Sequence, residues 1–237
     1  MTDSDLRTLL AGRLDEVDHR IAAACARARR QRDEVTLVAV TKSVPPAVAA
    51  VVAELGVPHL GEGRPQELWR KAAVVSGAFW HLVGHLQRNK LDKTLPHLTL
   101  FHAADSDRLL AAIDAYGRAH GTPVPVLLEV NVSREPAKGG FAPEAVVPMA
   151  EALVQLAGVR VDGLMTMAKH DADPAAARPT FAELRELRDQ LRAATGLPLP
   201  HLSMGMSYDY EVGVEEGATF VRVGTALFDG LGAAKLG

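Results

Sequence analysis

Val35-Thr36-Leu37-Val38-Ala39-Val40 is a short, β-branched apolar run that stops at Thr41-Lys42-Ser43, and residues 46–55 then take up helical spacing. A strand leading straight into a helix is one β/α unit, and the fold depends on how often it recurs. Toward the C-terminus a second strand reaches Leu60-Gly61-Glu62 before a helix over 65–75. A third covers 79–84 before a helix over 87–94, and a fourth covers 98–102 before a helix over 107–120. Strand five, 124–131, precedes a helix over 143–157, and strand six, 159–166, precedes one over 175–195. A seventh, 199–204, leads through a helical segment at 211–216 into an eighth at 219–224.

Eight strands alternating with helices predict an α/β chain folded as a single (β/α)8 TIM-type barrel, with an open doubly wound sheet as the runner-up. Upstream, residues 4–30 read as an extra N-terminal helix, with Leu6, Leu9, Leu10, Leu14, Val17 and Ile21 on one side and Ser4 as its cap. The division is therefore 1–33 for the N-terminal helix and 35–228 for the barrel. No composition break or Gly/Ser-rich linker separates them, so 1–237 is expected to be one domain.

The whole chain is 237 residues with 26 Lys+Arg, 29 Asp+Glu and 48% hydrophobic residues, a globular composition with a net charge of −3. Without a basic excess or a basic block there is no footprint for nucleic acid. The one cysteine, Cys25, sits in an Ala-rich helical run and reads as a small buried thiol, in keeping with a reducing compartment. The acidic N-terminus does not resemble a signal sequence and no apolar run approaches bilayer length, so the expected location is the cytoplasm, away from membranes.

In a barrel of this kind the chemistry sits at the C-terminal strand ends. Here those ends read Thr41-Lys42, Gly61-Glu62, Gly84-His85, His102, Asn131, Met165-Thr166, Ser203-Met204-Gly205 and Arg222-Val223-Gly224-Thr225. Lys42 follows seven uncharged residues, which places its ammonium over the barrel mouth; partly desolvated there, it can attack an aldehyde and form a Schiff base. A solvated lysine snorkelling from a strand end is the plain alternative. The last two strands end in small donors, Ser203, Gly205, Ser207, Gly224 and Thr225, at the place where this architecture usually binds phosphate. Turns and helix caps account for each of them singly. Lysine, phosphate loop and Arg222 together point to pyridoxal 5′-phosphate (PLP).

Two other groupings carry less. His81 and His85 are four apart, but on a strand that spacing does not make a facing pair, so no metal is expected. Glu129 and Asn131, two apart, share a strand face and could make a polar layer inside the barrel or a catalytic carboxylate.

The residues resemble the YggS/PROSC family of PLP-binding proteins, also called PLP homeostasis proteins. The resemblance rests on Leu37-Val-Ala-Val-Thr-Lys42, Gly61-Glu62 with Gln66-Glu67, and His81-Leu-Val-Gly-His-Leu-Gln-Arg-Asn-Lys90. It continues through Lys138 with Gly140, Gly163-Leu-Met165, Leu202-Ser-Met-Gly-Met-Ser207 with Asp209, and Val221-Arg-Val-Gly-Thr225. It implies a barrel of the alanine-racemase N-terminal-domain kind that holds PLP as an internal aldimine on Lys42. Ser203, Ser207, Gly224 and Thr225 would hold the phosphate, and Arg222 would face the pyridine nitrogen. A cationic arginine there disfavours protonation of the ring and weakens it as an electron sink. The implied role is a PLP carrier in intracellular PLP homeostasis, without established turnover, with apo PLP-dependent enzymes as recipients. One position departs from the pattern: family members commonly have Asn after the Gly-Glu pair, where this chain has Gly63, so that contact is lost or rebuilt through Arg64.

Two alternatives use the same residues. An amino-acid racemase needs a second base opposite the lysine, for which Tyr208 and Tyr210 are the nearby phenols, although both read more simply as loop-packing aromatics. A Schiff-base aldolase acting on a sugar phosphate needs only the lysine and the phosphate loop. With no appended domain in this length, a monomer is expected.

Overall fold

The computed structural model describes residues 2–171 and 173–232. Its sheet is a closed barrel of eight parallel strands in sequence order. They are β1 (Thr36–Val40), β2 (His59–Glu62), β3 (Phe79–Leu82), β4 (Leu98–Ala104), β5 (Val124–Glu129), β6 (Val159–Met165), β7 (His201–Met206) and β8 (Phe220–Val223). Closure is made by β1 on β8, where Thr36, Leu37, Val38 and Ala39 pair with Phe220, Val221, Arg222 and Val223. That ladder excludes the open doubly wound sheet, which would leave two edges.

The N-terminal helix α1 (Asp3–Arg27) is capped by Thr2 rather than Ser4: the Thr2 hydroxyl accepts from the Asp5 N–H and the Asp5 carboxylate accepts from the Thr2 N–H. Its buried stripe is Leu6, Leu10, Leu14, Val17, Ile21 and Ala24, while Leu9 lies on the outer side at 37% exposure. Cys25 is buried, and burial pushes its thiol up.

Between the strands run α2 (Pro46–Glu54), α3 (Pro65–Ala72), α4 (Leu91–Thr94), α5 (Asp107–His120), α6 (Pro143–Val146), α7 (Ala150–Val154), α8 (Arg178–Thr195), α9 (Tyr210–Glu215) and α10 (Thr225–Phe228). Helix α10 is too short to cover β8, and α1 lies against α9 and α10. Arg20 and Arg27 pair with Glu211, Arg27 also with Glu215, and Arg13 donates to the carbonyls of Leu227 and Asp229. The outer layer is less regular than the sequence suggests. The helix expected over 143–157 breaks into α6, a 3-10 turn and α7, because Pro148 has no N–H to donate. Around Pro96 the segment 87–97 likewise becomes two 3-10 turns flanking α4. No helix among the described residues is long and apolar enough to cross a membrane.

Two strands run further than their apolar runs indicate. Strand β4 extends to Ala104 and β7 to Met206, so His102 and Ser203 lie inside the barrel wall and not at its rim. Both are fully buried, and the rings of His81, His102 and His201 surround Phe220 at centroid distances of 4.8–5.6 Å.

Candidate functional site

At the C-terminal ends of the strands lies a cleft of about 500 Å³, lined by Val40, Lys42, Gly63, Val83, Gly84, His85, Glu129, Met167, His170, Met206, Ser207, Tyr208, Arg222, Gly224 and Thr225. Five of the six residues singled out from the sequence meet here: Lys42, Ser207, Arg222, Gly224 and Thr225. Ser203 does not reach it.

Lys42 lies two residues beyond the end of β1, and the backbone before it is pinned from behind. Thr41 is fully buried; its N–H donates to the Gly61 carbonyl at 2.9 Å and its hydroxyl to Glu62 Oε1 at 2.6 Å. From α3 the buried Lys71 ammonium donates to the Thr41 carbonyl at 2.6 Å and to Glu62 Oε1. A buried ion pair of side chains from β2 and α3 thus fixes the residue that carries Lys42 into the cleft. Glu62 Oε2 has no partner in this arrangement.

Lys42 itself is exposed, not partly desolvated as expected. The reason is its neighbour: Gly63 has no side chain to lay against it, and a Cβ there would stand 3.9 Å from Lys42 Cδ. Lys42 and Gly63 also border a second cleft of about 570 Å³, with Ser43, Arg64, Glu67 and Arg70. Gly84 presses on Gly63 from the other side; a Cβ on Gly84 would fall 2.3 Å from the Gly63 carbonyl oxygen, so only glycine lets the loops after β2 and β3 meet.

Ser207 Oγ accepts from the N–H groups of Gly224 and Ala226 at 3.2 Å each, which brings the loop after β7 onto the loop after β8. Behind that loop Asp209 accepts from the Met206 N–H at 2.6 Å. A Cβ at Gly224 would lie 3.2 Å from the Val40 carbonyl, which makes the approach of β8 to β1 close.

Arg222 forms the floor. It is 5% exposed, donates to the Thr166 carbonyl at 2.9 Å and to Ser203 Oγ, and burial pushes it down to about 10, against the pull of Asp209 and Glu129. It remains cationic at neutral pH. Because a guanidinium only donates, Ser203 must accept there and turn its own hydrogen to His102 Nδ1 at 2.9 Å. That assignment propagates: His102 Nε2–H donates to His81 Nδ1 at 2.8 Å, and His81 Nε2–H to His59 Nδ1 at 2.9 Å. Burial, reinforced by the neighbouring histidines, lowers His81 to about 3 and holds His102 far below its ordinary value, so both rings are neutral acceptors and donors in a one-way chain.

This column was the main feature the sequence reading missed. Its signal in the sequence is a histidine on each of three consecutive strands, His59, His81 and His102, a spacing across strands that no single segment displays. The anticipated Glu129/Asn131 layer does not form. Glu129 ends β5 and turns to the cleft, whereas Asn131 lies beyond the strand and donates to the carbonyls of Glu135 and Lys138, tying down the next loop. Of the two phenols, Tyr210 is 1% exposed, with the Arg20 guanidinium 5.3 Å from its ring centre; Tyr208 is 61% exposed and lines the cleft beside His170.

Comparison with known proteins bears on the family of the chain. The pyridoxal phosphate homeostasis protein of Aquifex aeolicus is 41% identical over 218 residues, covering 91% of this chain and 96% of its own. That of Pseudomonas aeruginosa is 38% identical over 221 residues, covering 92% and 94%. Among solved structures, PipY of Synechococcus elongatus PCC7942 with PLP bound superposes with a TM-score of 0.77 at 35% identity, covering 88% of this chain and 99% of PipY. With residues 13–231 matching the alanine racemase N-terminal domain, the chain belongs to that family, on the branch of the pyridoxal phosphate homeostasis proteins.

Proposed function

We propose that this chain is a PLP-binding protein of intracellular PLP homeostasis, one domain over 1–237, with Lys42 as the amine that takes the cofactor and no catalytic turnover. The observation that carries it is the convergence of Lys42, Ser207, Arg222, Gly224 and Thr225 on one cleft. PipY, 35% identical, has been solved with PLP bound, which supports PLP as the ligand.

The residues fit the group. The N–H groups of Gly224 and Ala226, already turned toward one acceptor at Ser207 Oγ, together with the hydroxyls of Ser207 and Thr225 make a donor set for a phosphate dianion. Ser203, buried beneath Arg222, is assigned to positioning that arginine instead of to the phosphate. When bound, PLP supplies a ring aldehyde with which a lysine amine condenses. Lys42 stands at the cleft on a backbone clamped by Lys71 and Glu62. Arg222 brings a fixed positive charge, which opposes protonation of a pyridine nitrogen placed against it.

Turnover as a racemase needs a second base, and neither phenol is set up as one: Tyr210 is turned inward and Tyr208 is solvated. On this reading the protein holds PLP and passes it to apo PLP-dependent enzymes, as a monomer in the cytoplasm.

Borohydride reduction of the loaded protein, followed by peptide mass mapping, tests the assignment. A pyridoxyl adduct on Lys42, with visible absorbance absent in Lys42→Ala, is the expected result. A sugar adduct would favour the aldolase, and cofactor bound equally well by Lys42→Ala would overturn the reading.

A further inference from the structure

Three donors at the rim of the cleft are not used by the PLP reading. His85 follows β3, Asp105 follows β4 and Glu129 ends β5, so three adjacent strands deliver one imidazole and two carboxylates to one place. One ligand atom from each lies within 4.8 Å of the others, and His85 Nδ1 is 2.8 Å from Asp105 Oδ2. We propose that His85, Asp105 and Glu129 bind one divalent first-row transition metal ion, of the Zn²⁺ or Co²⁺ type, at this rim.

Glu129 carries the argument beyond mere proximity. It is 4% exposed, its carboxylate faces the cleft, and none of the hydrogen bonds among the described residues reaches that carboxylate. Arg222, the nearby cation, directs its hydrogen bonds to Ser203 and Thr166 and makes none to Glu129, so a buried carboxylate beside a second one still favours a further cation. A dication cancels the two charges, and the imidazole completes a donor set suited to a borderline ion.

The surroundings also hold the donors in place. The loop after β5 crosses the cluster at Gly139 and Gly140. A Cβ at Gly139 would stand 2.8 Å from His85 Cε1, and one at Gly140 would stand 3.1 Å from Glu129 Cγ. Gly140, at φ +103° and with a Cβ that would fall 2.9 Å from the Glu129 carbonyl oxygen, must be glycine for the loop to lie there, whereas a side chain at Gly139 would push the exposed His85 ring aside. Bonds of about 2.0–2.2 Å to one ion need the donors roughly 3–4 Å apart, close to the present spacing of within 4.8 Å.

The experiment uses full-length protein stripped of metal with a chelator and free of PLP, so its outcome is separate from that of the PLP reading. Co²⁺ is titrated and the visible ligand-field absorption recorded, then Zn²⁺ is titrated by calorimetry. One equivalent should bind, and His85→Ala and Glu129→Gln should each weaken it at least about tenfold. Gly139→Ala, which removes no donor but displaces the His85 ring, should weaken it as well. Thermal unfolding checks that each variant is folded; should Glu129→Gln fail to fold, the exposed His85→Ala and Gly139→Ala still decide. The absence of a cobalt band, or equal affinity in the wild type and the folded variants, would overturn the proposal.

Discussion

Replacing Lys71 with Met tests the clamp behind Lys42. In the wild type the ammonium satisfies the Thr41 carbonyl and neutralises Glu62, both fully buried. Lys71→Met leaves the Glu62 carboxylate in the barrel wall with the Thr41 hydroxyl as its one donor and Oε2 still orphaned. Breaking a buried ion pair by removing one partner costs about 3–5 kcal/mol. Against a total stability of about 5–15 kcal/mol, the variant should fold but be markedly weakened. With a urea slope of about 2–3 kcal/mol/M, the unfolding midpoint should fall by about 1–2 M. The loss comes from the stranded charge, so the double variant Lys71→Met with Glu62→Gln should recover more than half of it. Equilibrium urea unfolding of the wild type, the two single variants and the double variant completes the cycle. A single-variant loss below about 1 kcal/mol, or a double-variant loss equal to the sum of the singles, would refute the argument. In the same samples Lys71→Met should load PLP more slowly, because Thr41 no longer holds the backbone of Lys42 still.

Ser203→Ala should cost about 1–3 kcal/mol by unpairing Arg222 and His102 while barely changing PLP affinity, whereas Ser207→Ala should weaken PLP about tenfold at nearly unchanged stability; fluorescence titration beside urea unfolding separates the two. His81 and His102 are held neutral in the folded state and gain a proton on unfolding, so stability should fall as the pH drops below about 6.5, by about 1.4 kcal/mol per pH unit for each ring. For His81 the loss ends near pH 3, its folded value of about 3, and His81→Gln should flatten the slope measured by urea unfolding between pH 7 and 5. Gly63→Asn places its Cβ at an ordinary 3.9 Å from Lys42 Cδ, so the variant should fold normally, cover Lys42 and slow PLP release several-fold in a transfer assay.

The pattern of β/α units was legible in the sequence because strand and helix formation follow local apolar spacing: Val35 to Val40 is apolar and β-branched whatever it later touches. The same local reading put Lys42, Ser207, Arg222, Gly224 and Thr225 at strand ends, and they line one cleft. It failed where a strand's length is set by its neighbours. Strand β7 pairs on through Met206, opposite Arg222, which leaves Ser203 three residues below the rim and bonded to that arginine; β4 likewise carries His102 inside.

The sequence by itself determined a run of eight strands and the side chains that could meet a phosphate and an aldehyde. Only the tertiary structure decided which polar groups face the cleft and which face one another in the interior. Burial and partnership are properties of register and closure: Arg222 meets Ser203, Lys71 meets Glu62, and His85 meets Asp105 across separations of 19, 9 and 20 residues that no local pattern encodes.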